Sequence, residues 1–246
     1  MRDYAMELEK RVAFIQRCVR EAGAKGVVYG NSGGKDSALV GILCRRACDD
    51  VLGVMMPCQS KRNFEEDMRD ALAVAERFDI PTVTVDLTPA KEAMEGALSS
   101  CADLSGMAGA NINPRLRMSA LYAIAQSRGA LVAGTGNRSE RVMGYFTKWG
   151  DGACDFNPIA DLTVTEVYAF LRYLSAPESI IAKAPSAGLF EGQTDEQEMG
   201  ITYSEIDNYL LHGQGDARTV AKIEGARARG AHKTRMPLAY GEERAR

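Results

Sequence analysis

The most restrictive stretch of the chain is residues 27 to 43. An apolar run, Val27-Val28-Tyr29, passes through Gly30 and Asn31 into Ser32-Gly33-Gly34-Lys35-Asp36-Ser37 and then into the helix-like Ala38-Leu39-Val40-Gly41-Ile42-Leu43. An apolar strand that feeds a helix through a tight glycine turn belongs to an α/β sheet. Paired glycines let the backbone turn sharply and aim several N–H groups at one point, and the positive end of the following helix favours negative charge there. A phosphate is the natural guest. The spacing is not that of a Walker A loop, which needs four residues between its glycines and Ser or Thr after the Lys; here three residues separate Gly30 from Gly34, and Asp36 follows Lys35. An acid in a phosphate cradle repels the ligand unless a divalent cation lies between them, so Asp36 reads as a magnesium ligand.

The rest of the chain supplies the sheet around that turn. Residues 4 to 22 place Met6, Val12, Ile15 and Val19 among charges, the pattern of an amphipathic first helix. Apolar runs at 26–30, 51–56, 82–86 and 130–134 read as buried parallel strands, and helical stretches near 36–48, 64–78 and 115–128 separate them. This predicts a doubly wound α/β fold, a mainly parallel sheet with helices on both faces, which binds its ligands beyond the carboxyl ends of the strands. The Ser32 loop leaves the first strand and Gly134-Thr135-Gly136-Asn137 leaves the last, so both can open onto one crevice. Thr163 with Glu166, and Thr202 with Glu205, have capping-box spacing for helices running to about Leu174 and Leu211. Residues 185–200, rich in polar and small side chains, read either as a linker or as a lid over a nucleotide.

Composition narrows the partners. With 30 basic and 33 acidic residues, the formal charge is −3, which supplies no general field for nucleic acid or anionic lipid. No run of 18 apolar residues exists, and Arg2, Asp3, Glu7, Glu9 and Lys10 interrupt the start, unlike a signal peptide. The expectation is a cytoplasmic protein, one domain over 1–246, with no nucleic-acid or membrane partner. Cys18, Cys44, Cys48, Cys58, Cys101 and Cys154 form no Cys-x-x-Cys pair; Cys44 and Cys48 share a helical face, but no second pair completes a zinc site, so they read as reduced structural thiols.

The Ser32–Ser37 signature resembles that of the N-type ATP pyrophosphatases, which cleave ATP between its α- and β-phosphates to adenylate a substrate. Further along stand Asn113-Pro114-Arg115-Leu116-Arg117, then Gly134 to Glu140, Gly144-Tyr145-Phe146-Thr147-Lys148-Trp149-Gly150-Asp151-Gly152, Pro185-Ser186-Ala187-Gly188-Leu189 and Gln193-Thr194-Asp195-Glu196. Their order is similar to that of the ammonia-dependent NAD synthetases, over nearly the whole chain. The resemblance implies an adenine nucleotide alpha hydrolase-like fold and a ligase that amidates deamido-NAD with ammonia, giving NAD, AMP and pyrophosphate through an acyl-adenylate. It implies that Gly30, Asn31, Ser32, Gly33, Gly34, Lys35, Asp36, Ser37, Thr135 and Ser186 hold ATP, that Asp36 and Glu140 hold Mg²⁺ and act in catalysis, and that Arg115, Lys148, Asp155, His232 and Lys233 bind deamido-NAD. A homodimer is implied too, without the amidase domain of glutamine-dependent relatives. Each residue also has a plainer reading: Lys148, Arg115 and His232 as solvated surface groups, Asp155 as a loop acid, and Glu140 as a partner of Arg138 or Arg141. Three positions depart from the family pattern: Pro114 stands for a common Ala, Ser186 for a frequent Thr, and Val164 for an ATP-contacting Lys. A related adenylating enzyme with another substrate, and a nucleotide sensor of the same fold, are the rival readings.

Overall fold

The structure is a computed structural model and describes residues 2–58, 64–183, 194–237 and 239–240. Its elements, in chain order, begin with α1 (Tyr4–Glu21), β1 (Val27–Gly30), α2 (Lys35–Ala47), β2 (Val51–Met55), α3 (Phe64–Arg77), β3 (Thr82–Thr84), α4 (Thr88–Leu98), α5 (Met107–Ala110), α6 (Ile112–Arg128) and β4 (Leu131–Ala133). They continue with α7 (Arg138–Met143), α8 (Val164–Tyr173), α9 (Glu178–Ala182), α10 (Asp195–Met199), α11 (Tyr203–His212) and α12 (Ala217–Gly230).

The strands form one parallel sheet in the order β3-β2-β1-β4, with Val27 beside both Val51 and Leu131, and Gly53 beside Thr82. Because strand side chains alternate, β1 serves two cores at once. Val27 and Tyr29 face a core with Ile15 of α1, Leu39 and Leu43 of α2, Val74 of α3, and Val167, Phe170 and Leu171 of α8. Val28 faces the other way, toward Leu52, Val54, Val132 and Ala125, with Leu121 and Ile124 of α6 packed against them. Burial on both faces is why β1 and β2 are apolar without alternation. β3, expected to be a buried strand, is instead half-buried to exposed, because it lies at the edge of the sheet.

From β1 the chain steps to β2 and β3, then crosses back to lay β4 on the opposite side of β1. That reversal opens a crevice between the ends of β1 and β4, where doubly wound sheets take their ligands. A third cluster, Val164, Ile201, Tyr203, Ile206 and Ile223, packs α8, α11 and α12 together beside the sheet. Both expected capping boxes are present, Thr163 with Glu166 opening α8 and Thr202 with Glu205 opening α11. Val164 is buried at the start of α8, so its side chain belongs to this core rather than to a nucleotide. Of the stretch 185–200, residues 185–193 lie outside the described residues, whereas Thr194 caps the short helix α10. No helix among the described residues is long and apolar enough to cross a membrane.

Candidate active site

The loop after β1 is closed upon itself by its serines. The Ser32 N–H donates to Ser37 Oγ at 3.3 Å, the two hydroxyl oxygens lie 3.1 Å apart, and the Gly34 N–H donates to Ser32 Oγ at 3.3 Å. Ser37 Oγ donates to the Gly34 carbonyl at 3.0 Å, and the buried Asn31 amide donates to the Ala71 carbonyl at 3.3 Å, which fastens the loop to α3. Gly33 has φ +73°, and a Cβ there would lie 2.0 Å from the Asp67 carbonyl oxygen, so only glycine fits. At the start of α2, Gly34 supplies no side-chain cap. The first N–H groups of this thirteen-residue helix therefore keep capacity for an external anion.

In the first turn of α2 lies an ionic cluster. Lys35, buried, places Nζ 2.6 Å from Asp36 Oδ2 and 5.7 Å from the centre of the Tyr203 ring. Asp36 Oδ1 accepts from Asn137 Nδ2 at 3.2 Å, joining the β1 loop to the β4 loop across the crevice. Asn137 is itself the N-cap of α7: its side chain accepts the Glu140 N–H at 3.0 Å, while Glu140 Oε2 accepts the Asn137 N–H at 3.0 Å. Among the described residues Glu140 forms no ion pair with Arg138 or Arg141; it closes a capping box.

The electrostatics follow from crowding. Burial, then the charge of Asp36, pushes the Glu140 carboxyl up to about 8, against the pull of Lys35 and the Asn137 N–H. Burial opposes the Lys35 charge, but Asp36 and Glu140 outweigh it and hold the ammonium above its ordinary pKa. Tyr203 is buried, and its hydroxyl donates to Asp195 Oδ2 at 3.0 Å; burial and the charges of Glu140 and Asp195 keep that proton in place far above the ordinary range. Tyr145 donates to Glu198 at 2.6 Å and contacts Asp195 Oδ1 at 3.4 Å, so the network reaches from the phosphate loop to the segment that carries Lys148.

The remaining expected residues fall into groups. Thr135 lies partly buried in the β4 loop, beside Asn137, and Ser186 lies outside the described residues. Lys148 Nζ donates to the His232 carbonyl at 2.9 Å and sits 5.3 Å from the Trp149 ring. Lys233 Nζ donates to the carbonyls of Gly144 and Phe146, both at 2.8 Å. These two lysines and His232 therefore form one group. Asp155 accepts the Val132 N–H at 2.7 Å and the Tyr122 hydroxyl at 3.2 Å, fixing the end of β4 to α6. Arg115 is exposed near the start of α6, and the Lys148 segment packs there through the 2.5 Å bond from Thr147 Oγ1 to Asn111 Oδ1.

Sequence reasoning passed over Asn137, Tyr203, Asp195 and Tyr145 as parts of this network. Asn137-x-x-Glu140 has capping spacing, a signal that was there to use; nothing local marks Tyr203, whose partner Lys35 lies in a different part of the chain.

A parallel sheet with an anion cradle at its switch point defines a nucleotide-binding α/β protein of the adenine nucleotide alpha hydrolase-like fold. The profile of the NAD synthase family matches residues 7–237, and the chain belongs to that family. It is 47% identical over 232 residues to an NH(3)-dependent NAD(+) synthetase of Carboxydothermus hydrogenoformans, covering 93% of this chain and 94% of that one. Among solved structures, the NMN synthetase of Francisella tularensis superposes with a TM-score of 0.93 at 37% identity, covering 98% of this chain and 100% of that one. The NH3-dependent NAD synthetase of Campylobacter jejuni gives 0.80 at 32% identity, covering 97% and 99%.

Proposed function

We propose that this protein makes NAD from deamido-NAD, ATP and ammonia, releasing AMP and pyrophosphate. The observation that carries the reading is the meeting at the switch point of an uncapped helix N-terminus, a buried lysine and two carboxylates, Asp36 and Glu140, that share Asn137. The names of its relatives supply ammonia as the nitrogen donor and NAD as the product; ATP and deamido-NAD follow from membership of the family.

In this mechanism the N–H groups at the start of α2 and the Lys35 ammonium bind the triphosphate and hold its α-phosphorus toward the nicotinate carboxylate. A carboxylate oxygen attacks that phosphorus, the bond to the β-phosphate breaks, and pyrophosphate leaves with the electron pair. Ammonia then attacks the carbonyl carbon of the acyl-adenylate, sheds a proton, and displaces AMP. No enzyme nucleophile is needed, so the protein contributes by positioning and charge. Arg115, Lys148, Asp155, His232 and Lys233 are assigned to deamido-NAD, with the cations suited to its phosphates and carboxylate.

Asp36 and Glu140 would hold Mg²⁺. The fit rests on donor chemistry: both are hard oxygen donors, and burial and the neighbouring Asp36 charge, which together raise the Glu140 pKa, are the cost that a divalent cation relieves. Among the described residues no group of three or more acidic, His or Cys side chains makes a cage of its own, so the ATP phosphates would complete the set. When bound, Mg²⁺ offsets charge on the triphosphate and the departing pyrophosphate.

The active form in this reading is a homodimer. Supporting it, α4 buries no residue, and Val83, Met94 and Met107 are exposed apolar side chains on β3, α4 and α5. Light scattering at assay concentration should give twice the chain mass; a monomer mass with undiminished activity would contradict it. We place the protein in the cytoplasm, a reading supported by six unpaired cysteines.

A second reading has its own support. The superposition on the NMN synthetase is closer than that on the NAD synthetase, 0.93 against 0.80, which favours a mononucleotide substrate for the same chemistry. The test is kcat/KM with deamido-NAD against nicotinate mononucleotide, at saturating ATP, Mg²⁺ and ammonium. Preference for the dinucleotide supports the main reading, and preference for the mononucleotide replaces it.

A further inference from the structure

Away from the crevice, a cavity of about 660 Å³ opens between the start of α1, one face of α7, the end of α12 and the residues that follow it. Arg2, Arg138, Arg141, Arg227 and Arg235 line it, against only Asp161 and Glu224. In a chain of net charge −3 this is a local concentration of positive charge. Arg138 and Arg141, three residues apart, share one face of α7, and Glu140 projects from another, toward Asp36. None of the residues of the phosphate loop lines this cavity, which shares α7 with the crevice and whose Ala231 and Thr234 flank His232 and Lys233.

The acids present are already engaged. Asp161 is held by Arg11 at 2.7 Å and by Arg2 at 3.1 Å, and Arg2 also pairs with Glu166 at 2.6 Å. Glu224 accepts from Arg227 at 3.3 Å and from the Tyr209 hydroxyl at 3.1 Å. Among the described residues the Arg138 side chain donates only to a neutral group, the Leu210 carbonyl, at 3.3 Å. Arg141 and Arg235 have no ion pair or side-chain hydrogen bond among the described residues. Three guanidinium groups that have no acid partner among the described residues thus line one cavity, Arg141 and Arg235 at its exposed rim, where water or an anion relieves their repulsion.

We propose that this cavity is a second anion site that takes a small molecule carrying two or more phosphates. Guanidinium groups match phosphate oxygens through paired N–H donors, and the volume lies in the range of sites that enclose small ligands, about 300–1,000 Å³. The proposal does not rest on the reaction assigned to the crevice.

The test is calorimetric titration of the full chain with inorganic tripolyphosphate, alone and with saturating α,β-methylene-ATP filling the crevice. The expected result is a binding component that the nucleotide leaves in place, that weakens as salt is raised, and that Arg141→Glu with Arg235→Glu weakens at least about tenfold. Should that pair melt early, Arg141→Gln with Arg235→Gln removes the same charges more gently and must also weaken it. Absence of tripolyphosphate binding, complete displacement by the nucleotide, or unchanged binding in the variants would overturn the proposal.

Discussion

At the scale of single residues, Asp36 and Glu140 decide the chemistry. Asp36 neutralises a buried lysine and takes the Asn137 amide, so its carboxylate is positioned without a ligand. Asp36→Asn should keep the fold, since Glu140 still faces Lys35, and lower kcat on the order of 100-fold; near-normal turnover in a folded sample would remove Asp36 from the cation site. Glu140 gives a pH signature. Its carboxyl rises from 4.5 to about 8 in the folded protein. Between those values the folded state binds more protons than the unfolded one, so this group's contribution to stability is complete below about pH 4 and falls as pH rises toward 8. Without divalent cations, Tm should decline across pH 5–8, and Glu140→Gln, which keeps a cap acceptor, should flatten that decline; an unchanged slope would show the carboxyl titrates normally. Asp36 was legible in the sequence because the glycines that explain it are its neighbours. Tyr203 and Asp195 were not, since their meaning lies in contacts with Lys35 and Tyr145 that only folding creates.

At the scale of elements, the decisive one is the turn between β1 and α2. Gly33 and Gly23 have nearly the same positive φ, +73° and +63°, but only Gly33 lacks room for a Cβ. Gly23→Ala should cost about 1 kcal/mol, the backbone term alone, whereas Gly33→Ala should cost about 3 kcal/mol or more because the Asp67 carbonyl must also move. Equal losses in paired thermal melts would mean the loop is looser than described. The strands before and after this turn were readable because burial on both faces leaves unbroken apolar runs. β3 is shorter than its run, Thr82–Thr84 within 82–86, because it pairs on one side only, at the edge of the sheet. Helices α4 and α12 went unread for a related reason. The first buries no residue, and the second, mostly Ala, Arg and Gly, buries Thr219, Ile223, Ala226 and Gly230 at helical spacing but with Ile223 as the one large apolar side chain among them, so its stripe is faint in the sequence.

At the scale of the whole molecule, strand order makes the site. Loops far apart in the chain become neighbours because β4 returns to the side of β1, and the Asp36–Asn137 bond is the local expression of that topology. Alternating apolar runs and helical stretches were enough to anticipate the crevice, but not the third cluster that sets Tyr203 under Lys35. The relatives' names point to free ammonia as nitrogen donor, so glutamine free of ammonium should support little or no turnover. The central claim, adenylation of a nicotinate carboxylate followed by amidation, is tested most directly by product stoichiometry. Purified protein is incubated with ATP, Mg²⁺, deamido-NAD and ammonium chloride, and AMP, pyrophosphate and NAD are quantified together. Equal amounts of all three are expected, and NAD accompanied by ADP and phosphate, or no NAD from a folded sample, would contradict this mechanism.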